Sequence, residues 1–230
     1  LHDGVDTNFF KPAPGARLKL ENLDLSHADE ILTYATRGME PYRGFPEFMR
    51  AAARLQKERP NLHVVVVGED RVAYGKKLPE GESWKGRMLQ ELDFDENRLH
   101  FTGLLPYKDY VKVLQASTVQ AYLTVPFVLS WSLIETLACG ALVVASNTEP
   151  VHEVIKDGET GFLADFFDHD AFADRIAYVL DNHKDLDHVR KAARKFVVGN
   201  YALKDLLPRH IRLIKDVASG HIPPREGTSD

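Results

Sequence analysis

The sequence predicts an α/β protein, a doubly wound parallel sheet of about six strands with helices on both faces. Three observations carry this. Strand-like and helix-like segments alternate through most of the 230 residues, and parallel strands require such crossover connections. The run at 63–67, His-Val-Val-Val-Val, is continuous and β-branched, the pattern of a strand buried on both faces. Phe45, Phe48, Met49, Ala52 and Leu55 recur at three- and four-residue steps, the period of a helix with one apolar face.

Each element follows in order. Residues 30–36 read as the first strand, and a loop marked by Gly and Pro follows at 37–44. The helix that begins at Phe45 is stopped by Pro60 and Asn61, and the strand at 63–67 turns at Gly68. A polar excursion at 69–97 has room for one short helix around 84–92. Then come a strand at 99–103, a helix at 107–116, a strand at 119–125 and a helix near 132–139. A strand at 141–145, a short helix at 150–155 and a last strand at 161–165 complete the alternation. Three amphipathic helices close the chain, at 170–182, 186–198 and 203–217. In domain terms, 1–29 reads as a linker leading into the domain, 30–200 as the domain, 201–218 as a C-terminal helix and 219–230 as a disordered tail.

Composition narrows the class. A 44% hydrophobic and 27% charged chain is that of a folded globular protein. A net charge of −5 argues against a dedicated nucleic-acid binder. No apolar run approaches the roughly 20 residues of a transmembrane helix. The single cysteine, Cys139, cannot form an internal disulfide and fits a reducing compartment. The expectation is a cytoplasmic protein, with any contact to an inner membrane left to a missing domain. The start at Leu1 rather than Met suggests a piece of something longer.

In an open parallel sheet, ligands bind beyond the carboxyl ends of the strands, so those ends hold the candidate residues. Arg37 and Arg43 stand on the loop that carries Gly38, Pro41 and Gly44, and two guanidinium groups there can grip a diphosphate. A pair of solvated arginines is the equal alternative. Gly68 ends the most hydrophobic strand, either as an ordinary turn or to admit a ligand to the backbone. The spacing G-x-G-x-x-G is absent. The segment 124–140 carries the strongest signal: Pro126 forces a turn, Ser130 and Ser132 offer capping oxygens, and the helix start is a ready anion site. Glu135, one turn in, can reach back to a ligand or merely complement the helix dipole. Trp131 and Leu133 read as packing residues and Cys139 as a small buried hydrophobe. The ten histidines show neither metal spacing nor a triad, and no metal site is assigned.

These pieces together resemble a known family. His2-Asp3-Gly4-Val5-Asp6-Thr7, with Phe10 and Pro12, resembles the N-G-V-D-x-x-x-F-x-P segment joining the two domains of group 1 (family 4) glycosyltransferases. Thr36-Arg37-Gly38 and Arg43-Gly44 resemble their G-R…K-G loop, with Arg43 in the lysine place. Residues 127–145, then Glu153 and 157–163, resemble the E-x7-E…G-x-x-G-x-L block. The likeness spans 1–198. It implies a Rossmann-like domain, the carboxyl-terminal half of a GT-B fold, holding a UDP- or GDP-sugar as substrate with no other cofactor and no metal. It further implies an N-terminal partner domain and a glycan, lipid-linked or other acceptor. Carried over, Arg37 and Arg43 neutralise the diphosphate and Glu135 accepts from the ribose hydroxyls. Gly38, Gly68, Ser130, Ser132 and Leu133 border the donor, the latter two through backbone N–H groups, and Leu104 and Leu105 flank the base. Phe127 departs from the pattern: it stands eight positions before Glu135, where the family has its first glutamate. The implied activity is retaining sugar transfer by an enzyme inactive as this isolated piece. The alternative is a non-catalytic nucleotide-sugar or glycan-binding module.

Overall fold

The computed structural model describes residues 1–221. Six parallel strands form the sheet: β3 (Glu30–Gly38), β4 (Leu62–Glu69), β5 (Leu99–Gly103), β6 (Val119–Tyr122), β7 (Leu142–Ser146) and β8 (Phe162–Ala164). Their spatial order is β5-β4-β3-β6-β7-β8. The order reverses between β3 and β6, and that reversal opens a crevice beyond the carboxyl ends of these two strands. The helices α1 (Phe45–Glu58), α2 (Trp84–Glu91), α3 (Tyr107–Ala116), α4 (Trp131–Ala138), α5 (Glu149–His152), α6 (His169–Asn182) and α7 (Asp187–Asn200) connect and flank them, and α8 (Leu203–Ala218) follows.

Two apolar cores lie on the two faces of the sheet. Val64 and Val66 of β4 pack with Phe45, Phe48 and Phe172, whereas Val65 and Val67 pack with Leu133, Leu137 and Val143. That alternation is why β4 reads as an unbroken β-branched run: both of its faces are dry.

Three differences from the sequence expectation have physical causes. β3 runs on to Gly38, because Gly38 pairs with Glu69 past a register shift; Arg37 and Gly38 therefore end a strand rather than sit in the loop. β6 stops at Tyr122, three residues early, where the chain swings out to form the crevice wall. The segment expected to be a linker holds an antiparallel hairpin, β1 (Leu18–Leu20) and β2 (Leu23–Leu25), with Leu18 and Leu25 buried. The expected tail starts at Ser219, which caps α8 through its N–H to Lys215; residues 222–230 lie outside the described residues. Among the described residues no helix is long and apolar enough to cross a membrane.

Candidate functional site

A cavity of about 760 Å³ occupies the crevice at the strand reversal. It brings together Arg37, Arg43, Gly68, Leu104, Leu105, Ser130, Ser132 and Glu135, residues spread over nearly a hundred positions of sequence. Gly38 and Leu133 lie behind it. A Cβ on Gly38 would come within 2.7 Å of the Arg71 carbonyl, and Leu133 is wholly buried in the core. Gly68 is needed by the sheet itself: its φ is 136° and a Cβ there would sit 2.0 Å from the Thr36 carbonyl oxygen.

The two arginines differ. Arg37 is exposed on the rim, while Arg43 is buried, 7% exposed. Arg43 is the last residue of a 3-10 turn at Pro41–Arg43 that ends on left-handed Gly44. Its Nη1 donates to Thr124 Oγ1 at 3.0 Å and to the Val128 carbonyl at 3.1 Å. Its guanidinium carbon lies 5.3 Å from the Tyr74 ring centroid and 5.4 Å from that of Phe127, and the two rings are 5.2 Å apart. Three near-equal distances make a triangle, so the cation sits over the joint of two rings rather than between them. None of its hydrogen-bond partners is a carboxylate, which leaves a full positive charge for an incoming oxyanion.

α4 begins under this cation. Ser130 caps it: its Oγ accepts from Ser132 N–H at 3.3 Å, and its carbonyl accepts from Leu133 N–H at 3.1 Å. The two N–H groups expected to face a ligand are thus already engaged, and an anion there must compete with the Ser130 cap. Ser130 N–H in turn donates to the Tyr122 hydroxyl at 2.8 Å. Glu135, 4% exposed, lines the same cavity, and burial pushes its carboxyl up to about 7, opposed by the Tyr110 hydroxyl. Burial thus favours the protonated carboxyl far more than in an ordinary glutamate, and the protonated group can donate as well as accept.

Trp131 corrects the packing expectation: it is 58% exposed and lines the cavity. As N1 of α4 it points out from the helix rather than down onto the sheet. Sequence reasoning missed Tyr74, Tyr107, Tyr110 and Glu40. The Glu40 carboxylate is fully buried and accepts from Tyr74 N–H at 3.0 and 3.1 Å and from Gly75 N–H at 2.7 Å, which pins the 70–75 loop over Arg43. The Glu-Pro pair at 40–41 was the visible signal, an acid just after a strand end. Cys139 is buried, and burial pushes its thiol up to about 12. No cluster of three metal-ligating side chains occurs among the described residues. Asp-x-Asp spacings do occur, at Asp93–Asp95, Asp168–Asp170 and Asp185–Asp187, all away from this cavity.

Comparison with known proteins decides the family. A model of "Glycosyl transferases group 1" matches residues 20–196. The chain belongs to this family. Among curated glycosyltransferases, the D-inositol 3-phosphate glycosyltransferase of Acidothermus cellulolyticus is 27% identical over 182 residues, 77% of this chain and 39% of that protein. The GDP-mannose-dependent alpha-(1-6)-phosphatidylinositol monomannoside mannosyltransferase of Mycolicibacterium smegmatis is 27% identical over 210 residues, 87% of this chain and 52% of that protein. The glycosyltransferase chain thus spans about half the length of its curated relatives or less. Anabaena HepE, solved in complex with UDP-glucose, superposes with a TM-score of 0.77 at 20% identity, covering 93% of this chain and 56% of that one. Sucrose-phosphate synthase from Thermosynechococcus elongatus gives 0.77 at 21% identity, covering 95% and 52%. These likenesses establish a GT-B-type Rossmann-like fold for this group 1 domain.

Proposed function

We propose that this domain binds a nucleoside diphosphate sugar in the crevice and, with an N-terminal domain, transfers the sugar to an acceptor with retention and without a metal. The observation that carries the reading is Arg43: a buried cation, held by neutral acceptors only, at the switch point beside the start of α4. Positive charge fixed where a departing diphosphate gathers negative charge lowers the barrier to its departure. Arg37 adds a second cation from the rim, and Glu135 is assigned to the ribose hydroxyls. Leu104 and Leu105, on the turn after Gly103, are assigned to the base. The UDP-glucose complex of HepE supports a UDP-sugar, and the mannosyltransferase relative a GDP-sugar.

The partner domain is assigned to the outer face of α8. There Leu203, Leu207, Ile211, Ile214 and Val217 recur at helical spacing and are all exposed, while only Leu206 is buried. Residues 1–29 serve as the linker, 30–200 as the donor domain and 201–218 as the helix reaching to that partner. Phe127 supports a second reading, a nucleotide-sugar-binding module without turnover. Calorimetric titration with UDP- and GDP-sugars, paired with a product assay with and without the N-terminal domain, separates the two. Binding with transfer only when both domains are present upholds the enzyme, binding without transfer in either case upholds the module, and no binding overturns both.

A further inference from the structure

The crevice is not the largest hollow of the domain. A cavity of about 1340 Å³ lies at the opposite end of the sheet, where the strands begin: Glu30 and Ile31 open β3, Thr118 precedes β6 and Gly140 comes shortly before β7. It shares no lining residue with the crevice. α7 contributes one helical face to it, with Asp187, Arg190, Lys191, Arg194 and Lys195 at three- and four-residue steps.

Six cations and three carboxylates line this cavity, in a chain whose net charge is −5. Pairing sorts them. Every carboxylate already holds a cation: Asp29 pairs with Arg17 at 3.4 Å, Glu30 with Arg59 at 2.6 Å and Asp187 with Lys191 at 2.6 Å. Lys184, Arg190, Arg194 and Lys195 form no ion pair among the described residues. The unpaired charge here is therefore all positive. Arg194 is committed to the Thr7, Phe10 and Ala138 carbonyls. Arg190 is not. It is half-buried, and its one hydrogen bond runs from Nη1 to the Gly140 carbonyl at 3.2 Å. Its Nε and Nη2 are unbonded and reached by solvent. That edge of a guanidinium is one that grips an oxyanion through two parallel hydrogen bonds. Burial pulls the Arg190 guanidinium below its ordinary range, against the charge of Asp187. A cation held partly out of water without a carboxylate of its own carries a desolvation cost that an incoming anion offsets. Valence follows from the same accounting. One phosphate carries about −1.5 to −2 and leaves much of this positive charge unmatched, whereas two or more phosphate groups balance it.

We propose that this cavity binds a ligand bearing two or more phosphate groups, with Arg190 and the neighbouring lysines as its grip, at a site separate from the donor crevice. The proposal stands independently of the nucleotide-sugar reading. Titration of tripolyphosphate into the isotope-labelled chain, followed by amide NMR shifts, reads the two places separately: Gly140, Lys184 and Lys195 report this cavity, Gly68 and Ser132 the crevice. Saturable shifts at the first set are expected. Arg190→Gln is expected to weaken that binding about tenfold, the size of a charged hydrogen-bond pair. Lys195→Gln is expected to weaken it about threefold; Lys195 is exposed, so its replacement disturbs no packing and keeps the test standing if Arg190→Gln fails to fold. Cosedimentation with phosphatidylglycerol vesicles but not with phosphatidylcholine vesicles, lost in the same variants, names clustered lipid headgroups as the source of the phosphates. Tripolyphosphate binding without cosedimentation names a soluble phosphate ester. Shifts that are absent or confined to the crevice overturn the proposal, and so does an affinity that the substitutions leave within about twofold.

Discussion

At Arg43 the side chain reaches the cavity from inside the protein, anchored by one nitrogen and wedged over two rings. Arg43→Met keeps much of the stem's volume and removes the charge. It is expected to weaken nucleoside diphosphate binding about tenfold or more, as charged hydrogen bonds are worth about 1.5–3 kcal/mol; calorimetry reads this directly. Glu135 supplies a pH signature. Its carboxyl ionises near 7 in the fold against 4.5 ordinarily, so the folded state holds the proton that the unfolded chain has lost. Its contribution to stability is therefore fully present below about 4.5 and lost as pH rises through about 7, a loss of about 3 kcal/mol. Glu135→Gln is expected to flatten that fall in a melting series from pH 5 to 8. The sequence showed both residues but not their settings. Thr124, Val128, Tyr74 and Phe127 meet Arg43 only through the fold, and Glu135 gains its proton from a core that no local pattern describes.

Elements were the most legible scale where one pattern sufficed. The strand Leu99–Gly103 and the helix Tyr107–Ala116 stand where alternation and helical period put them. The β1–β2 hairpin escaped because each of its strands has three residues and pairs only with the other. Its signal, Leu18, Leu20, Leu23 and Leu25 around a two-residue turn, was short but present. The end of β3 escaped for a different reason: pairing with β4 carries it past the apolar run to Gly38. Gly68 joins these two strands most tightly. Gly68→Ala would drive a methyl into the Thr36 carbonyl at a φ of 136°, and a loss of about 3 kcal/mol or more is expected. Thermal unfolding checks this, with Gly81→Ala, also at positive φ but in open space, as the milder control.

On the proposed reading, the molecule as a whole supplies one wall of a cleft that an N-terminal domain completes. Its fold class, strand count and alternation were readable because a two-sided parallel sheet imposes them on every strand; the crevice wall was not, since residues 124–130 follow no period. Proximity and orientation across a closed cleft supply about 7–11 kcal/mol of barrier lowering. The isolated domain is accordingly expected to bind a nucleotide sugar and to transfer none, with turnover restored when the N-terminal domain is added in a product assay. Beneath the cleft, Val5 and Ala202 form a parallel bridge: Val5 N–H donates to the Tyr201 carbonyl at 2.8 Å, and Leu203 N–H to the Val5 carbonyl at 2.9 Å. The Arg194 guanidinium ties the same incoming segment down, donating to the Thr7, Phe10 and Ala138 carbonyls at 2.7 Å each. Because the bridge is parallel, tension that draws residue 1 and α8 apart loads both hydrogen bonds along the strand axis, in shear, and loads them together. The two ways into this domain thus form a mechanical clasp, and a pull on the chain must part it before force reaches the sheet or the crevice above.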